Sequence, residues 1–211
     1  MLIRILRHNA AEYMGWRIVV SIGEGEPRML TEFLESNASI PFQLEQIENI
    51  IVTDSSAAVD LFFLEEINAI VIKDMEVFDK PPVKPMQSRI EILSEKDLSK
   101  LDDLGVSLIF KELVFDFLKE LRGSLIGVQV SEPVKNMCPS VHVDKLPLRL
   151  VQCLDGEGTT LMTNSGREVK TQQGDLVLLK GELWKLTPGA IKHRSPETHS
   201  LRTLFRVDFL D

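Results

Sequence analysis

Leu146-Pro147-Leu148-Arg149-Leu150-Val151-Gln152-Cys153-Leu154-Asp155-Gly156-Glu157-Gly158-Thr159-Thr160-Leu161-Met162-Thr163 is the stretch that decides the fold. An apolar, β-rich run stops at a Gly-rich turn, and a second β-rich run starts at once. The same texture fills the chain after Gly123. Short runs at 125–130, 141–144, 146–154, 160–163, 168–171, 176–179 and 201–209 alternate with turns at 155–158, 164–166 and 173–175. Strands this short and this regularly spaced predict a sandwich, barrel or jelly roll.

The first half reads differently. A β-rich run at 16–22 ends in the turn cluster Gly23-Glu24-Gly25-Glu26-Pro27. Pro27 suits the first position of a helix to about residue 35. Residues 50–53 and 67–73 read as strands. Ser55-Ser56 can cap a helix over 57–66. Lys80-Pro81-Pro82-Val83-Lys84-Pro85 reads as a surface loop. Ser94 and Asp97 have capping-box spacing ahead of a helix to about 104. Phe110, Leu113, Val114, Phe117, Leu118 and Leu121 recur at helical spacing, which predicts a helix facing a core. The expectation is an α+β fold forming one domain over 1–211. Residues 1–122 would be an α/β buttress and 123–211 a β-barrel core.

Composition narrows the function classes. The 211 residues are 44% hydrophobic and 27% charged, as in globular proteins. Lys plus Arg number 24 and Asp plus Glu 32, a net charge of −8, which disfavours a nucleic-acid partner. No apolar run is long enough to span a bilayer. The charged start Met-Leu-Ile-Arg-Ile-Leu-Arg-His does not read as a secretory signal, so the expected location is cytoplasmic. Cys138 and Cys153 read as reduced thiols. Gly23-Glu24-Gly25 lacks the Gly-Lys-Ser/Thr ending of a phosphate loop. Tyr13, Trp16 and Trp184 read as packing residues.

The chain has four histidines, His8, His142, His193 and His199. In His142-Val143-Asp144 an imidazole and a carboxylate share one face of a strand. One more imidazole, from His193 or the competing His199, would give two histidines and a carboxylate. That set leaves open positions on an octahedral metal and favours non-haem Fe(II). Arg202 stands nine residues after His193 in an apolar strand, where it must reach solvent or pair with an anion. Its fork fits a carboxylate, such as the far end of an oxo-acid co-substrate, or an acidic side chain. Arg206 is the alternative on the same face. Arg149 alternates with Leu148 and Leu150 and is expected to pair with an acid.

Cys138-Pro139-Ser140-Val141-His142-Val143-Asp144, followed by Arg149-Leu150-Val151, resembles an uncharacterised, mostly bacterial family, the domain of unknown function numbered 1826. The resemblance continues through Gly156-Glu157-Gly158-Thr159, Gly174-Asp175-Leu176 and Leu178 to Glu182, then His193-Arg194-Ser195-Pro196 and the strand from Arg202. Over residues 1–120 it is loose. Val141 stands where the family has an aromatic, and Arg206 where it has a smaller residue. No established activity comes with the family. Its motif order is similar to that of Fe(II)/2-oxoglutarate dioxygenases on a double-stranded β-helix. The resemblance implies His142, Asp144 and His193 as metal ligands and Arg202 as the residue that binds 2-oxoglutarate. It prefers His193 over His199.

Two functions follow as expectations. One is an Fe(II)- and 2-oxoglutarate-dependent oxygenase that hydroxylates a small molecule or protein. The other is a cupin-like protein that binds a metal, zinc included, or a small molecule without turnover. Cys138 would favour zinc if it were a ligand; otherwise it reads as a buried small apolar residue. Arg194 and Ser195 would support the distal histidine. Ser195 with His142 and Asp144 could suggest a hydrolase, but the Gly-x-Ser-x-Gly elbow is absent.

Overall fold

The computed structural model describes residues 2–10, 13–21, 43–79, 91–94, 97–131, 138–197 and 201–211. The expected helix at 27–35, the segment 80–85 and the candidate ligand His199 lie outside the described residues. The chain opens with an antiparallel ribbon of β1 (Leu2–Ala10) and β2 (Tyr13–Ser21). β1 carries charges along its length and was not anticipated.

The remaining strands form two sheets. They are β3 (Leu44–Ile47), β4 (Ile50–Thr53), β5 (Ala69–Ile72), β6 (Glu91–Ser94), β7 (Leu125–Val130), β8 (Leu148–Asp155), β9 (Thr160–Met162), β10 (Glu168–Lys170), β11 (Leu176–Lys180), β12 (Lys192–Arg194) and β13 (Thr203–Phe209). The large sheet runs β3-β4-β5-β11-β8-β13-β7-β6 and the small one β10-β9-β12. Every pairing is antiparallel except β4 with β5. Strands from the first half thus extend both ends of the sheet that the second half builds. The fold is a mixed α+β one with a large sheet.

Alternation along the strands decides what each face of the large sheet carries. Leu148 and Leu150 of β8, Leu176 and Leu178 of β11, and Phe205, Val207 and Phe209 of β13 turn to one face. There they bury against the 3-10 helix Ser56–Phe63 and helix α2 (Leu108–Leu121). The helical spacing expected at 110–121 holds: Phe110, Leu113, Val114, Phe117 and Leu118 are all buried. Ser107 caps the helix by accepting from the Phe110 N–H. The stretch at 57–66 forms a 3-10 helix rather than an α-helix, with Ser55 accepting from Ala57 N–H as its cap. Ser94 donates to Asp97 from both N–H and hydroxyl, and the short helix α1 (Lys100–Asp103) follows.

On the opposite face, Ile50, Ala69, Val71, Val151, Val177 and Leu179 pack against Leu161 of β9 and Ile191. This second, smaller core holds the small sheet onto the large one. Lys192–Arg194 forms a strand that sequence reading missed, because three residues with two cations carry no apolar alternation. Conversely, residues 141–144 do not form a full strand. His142 alone makes a bridge, to His193, and Pro147 lies just beyond the segment.

Candidate metal centre

That single bridge assembles the site. His142 N–H donates to His193 O at 3.0 Å, and His193 N–H to His142 O at 2.9 Å. The two imidazoles therefore emerge side by side, with centroids 4.5 Å apart. Asp144, two residues on, presents its carboxylate to both. His142 Nε2 lies 3.7 Å from Oδ1 and His193 Nε2 3.3 Å from Oδ2. One ligand atom from each of the three residues falls within 4.8 Å of the others. The structure thus brings together the histidine, aspartate and distal histidine singled out from the sequence.

Hydrogen bonds on the far side of each ring set its orientation. His142 Nδ1 is 2.9 Å from Ser140 O, and His193 Nδ1 is 3.3 Å from Ile191 O. A ring whose Nδ1–H donates to a carbonyl carries its lone pair on Nε2. Both Nε2 atoms face the Asp144 carboxylate. Asp144 Oδ2 is buried and makes no hydrogen bond. Two imidazoles and a carboxylate converging on one point, with Oδ2 left over, fit a cation.

Arg149 supplies the expected acid pairing twice over. Its Nη1 lies 2.7 Å from Asp144 Oδ1. Its Nε and Nη2 donate to the two oxygens of Asp208 at 2.6 and 3.0 Å. Burial works against the Arg149 charge, yet the Asp208 hydrogen bonds and both carboxylates outweigh it and raise its pKa. Burial likewise pushes the Asp144 carboxyl up, and the His193 contact with the Arg149 charge more than reverses that, so its pKa is lowered. Asp208 was not anticipated. Only the strand register identifies it: it stands opposite Arg149 in the β13–β8 pairing.

Arg202 is 1% exposed and lies immediately before β13. Its Nε and Nη1 are buried without a hydrogen bond, and Nη2 is 3.4 Å from Thr159 Oγ1. Thr159 lies two residues before Leu161, and Leu161 is the register partner of His193. Thr159 and His193 therefore share one face, separated by roughly 7 Å along the strand direction. Burial lowers the Arg202 pKa, countered by the Cys153 thiol. Cys153 is a buried free thiol, and burial raises its own pKa.

Cys138 corrects an expectation. It is exposed rather than a buried packing residue, and it stands outside the His142, Asp144 and His193 group. Its backbone pairs with Ser195, whose N–H donates to Cys138 O and whose hydroxyl accepts from Cys138 N–H. Ser195 thereby anchors the segment leading to His142. Arg194 pairs with Glu168 and Glu197 instead of supporting the histidine.

A large, mostly antiparallel sheet and a small antiparallel one thus meet beside a cluster of two histidines and one carboxylate. Residues 110–208, just under half of the chain, match the family described as "Protein of unknown function (DUF1826)", so the resemblance read from the sequence is borne out. No curated protein matches the chain. Among solved structures, the chain is similar to the dioxygenase for auxin oxidation of rice at 15% identity, covering 65% of this chain and 62% of that one, TM-score 0.36. It is similar to the dioxygenase for auxin oxidation 1 of Arabidopsis thaliana, in complex with 2-oxoglutarate, at 14% identity, covering 57% and 62%, TM-score 0.35. It is also similar to a putative 2OG-Fe(II) oxygenase family protein from Caulobacter crescentus at 15% identity, covering 54% and 44%, TM-score 0.34. The chain spans less than two thirds of the length of each. No helix among the described residues is long and apolar enough to cross a membrane.

Proposed function

We propose that the chain is a non-haem Fe(II)- and 2-oxoglutarate-dependent oxygenase whose metal ligands are His142, Asp144 and His193. The observation that carries this reading is the convergence of two imidazole Nε2 atoms and the Asp144 carboxylate, whose buried Oδ2 makes no hydrogen bond. Strand order supports it. The run β11-β8-β13-β7 faces the row β10-β9-β12-His142, two antiparallel four-membered layers, the arrangement of a double-stranded β-helix. Two imidazoles and one carboxylate leave three positions open on an octahedral ion, the donor set of Fe(II) oxygenases. Arg202 is the co-substrate residue. Two buried N–H-bearing atoms without partners, beside Thr159, fit the far carboxylate of 2-oxoglutarate.

When bound, Fe(II) and 2-oxoglutarate supply dioxygen activation coupled to oxidative decarboxylation. The chain's own residues do the rest. Ser140 O and Ile191 O fix both imidazoles with Nε2 inward. Arg149 engages Asp144 Oδ1 and leaves Oδ2 free for the metal. Leu161, Val151 and Leu204 keep the Arg202 end apolar. The His193 side chain is 7% exposed and that of His142 32%, so substrate enters from the His142 side. The substrate is a small molecule or a protein side chain.

Metal content after anaerobic purification tests the reading, followed by thermal shifts with Fe(II), Zn(II) and 2-oxoglutarate. Near-stoichiometric iron, and stabilisation by 2-oxoglutarate that His142→Ala removes, is the expected result. Zinc alone with no response to the oxo-acid would favour a non-catalytic metal-binding barrel. No metal and no shift would overturn the ligand assignment.

A further inference from the structure

Beyond the metal cluster, the inward face of β7, β8 and β13 carries a row of charges that the proposed chemistry does not use. The apolar cluster under the small sheet ends at Val151 and Leu204. Past it come Arg149, Asp208, Arg206 and Gln129, all on one face by strand alternation and register. Asp208 is fully engaged, since Arg149 takes both of its oxygens. Arg206 Nε reaches only to 3.7 Å from Asp208 Oδ2 and is buried without a hydrogen bond. Gln129 stands directly opposite Arg206, and its Oε1 is likewise buried and unpaired. The two neighbours do not satisfy each other. Leaving such a pair without partners is costly unless a ligand completes it.

Charge placement points the same way. Arg149 is matched by Asp144 and Asp208, and Glu157 acts on Arg202, whereas Arg206 has only the distant Asp208 Oδ2, which Arg149 already engages. Arg202 is sealed at 1% exposure, whereas the Arg206 side chain is 21% exposed and can be reached from outside.

We infer that the primary substrate carries an anionic group, a carboxylate or a phosphate, and that Arg206 receives it with Gln129 beside it. This rests on the oxygenase reading for the word substrate, but the anion site itself does not. The link from Arg206 through Asp208 and Arg149 to Asp144 places the anion at the edge of the metal cluster, where it orients the rest of the molecule toward the open coordination positions. The face suits a small acid better than a neutral apolar compound, because three guanidiniums in a partly desolvated site favour anions.

The test is arginine side-chain NMR on the full chain, with Nε–Hε signals assigned through Arg202→Gln and Arg206→Gln. Zn(II), which is diamagnetic, occupies the metal site, and 2-oxoglutarate, butyrate and inorganic phosphate are the probes. The expected result is that 2-oxoglutarate moves the Arg202 signal. Butyrate or phosphate, added afterwards, then moves the Arg206 signal to saturation. By calorimetry, Arg206→Gln weakens that second anion at least about tenfold, and Arg206→Lys retains part of the binding. An Arg206 signal that neither anion moves, or an affinity unchanged in Arg206→Gln, overturns the inference. So does an Arg206 signal that 2-oxoglutarate moves in place of Arg202. If 2-oxoglutarate moves neither arginine and butyrate still moves Arg206, the oxygenase reading falls while the anion site stands.

Discussion

Replacing Arg149 by methionine removes the group that ties Asp144 to Asp208. Three close contacts go at once, at 2.7 Å to Asp144 and at 2.6 and 3.0 Å to Asp208. Both carboxylate side chains stay about nine-tenths buried, at 10% and 11% exposed, and neither gains a new partner. Breaking a buried pair by removing one member costs about 3–5 kcal/mol. Arg149 is itself 17% exposed, so some water enters and the lower end applies, about 3 kcal/mol. Urea unfolding at neutral pH measures it, since the midpoint falls while the slope is kept. The Arg149→Met/Asp208→Asn double variant regains at least about 1 kcal/mol over the sum of the single losses, because the double change leaves Asp208 neutral. A loss below about 1 kcal/mol for Arg149→Met, the value of a surface ion pair, would refute the argument that this arginine is a buried bridge.

Lys180 gives a pH signature. It is fully buried, donates to Leu64 O and Thr187 Oγ1, and burial lowers its pKa from 10.5 to about 8. Between those values the unfolded chain binds the extra proton, so stability rises with pH by about 3 kcal/mol in total, and Lys180→Met flattens that rise in unfolding curves taken from pH 8 to 10.5. Gly181→Ala is expected to lose both stability and metal-dependent thermal shift, because a Cβ there would fall 1.9 Å from Leu146 O and 2.9 Å from Asp144 O. Phe62→Ala should cost about 3–5 kcal/mol in the same unfolding assay, since Phe62 is buried edge-on against Phe117 and Trp184.

The second half of the fold was legible because its strands obey a strong rule. Runs of Leu and Val broken by Gly-containing turns locate β8, β9 and β11 to within a residue or two. Helix α2 was legible for the same reason at a different period. β12 was not, because Lys192, His193 and Arg194 owe their extended form to pairing with β9 and to the bridge with His142, not to local preference. The cluster of His142, Asp144 and His193 was legible from His-x-Asp spacing and a later histidine, with the family resemblance choosing His193 over His199. The hydrogen bonds that orient it were not, since Ser140 and Ile191 contribute backbone carbonyls, which no residue type advertises. Arg149 announced its need for an acid, but only register could name Asp208, 59 residues away.

The arginine row also bears on why charged residues occupy one face of the large sheet at all. An apolar replacement of a buried ion pair is often as stable or more so, so stability alone does not account for Arg149 and Asp208. Geometry does. A carboxylate with two free oxygens can rotate, chelate an ion through both, or hydrogen bond to either histidine. Held by Arg149 at Oδ1, and with Arg149 itself locked bidentately by Asp208, Asp144 has one oxygen left to offer. Asp208→Asn is the variant that separates these roles, because it loosens the lock without touching a metal ligand or Arg149. The expected outcome is a small change in unfolding free energy, about 1 kcal/mol, together with a larger fall in metal affinity, on the order of tenfold, as outer-shell changes produce. Equal, small effects on both would show that the lock serves packing rather than the metal.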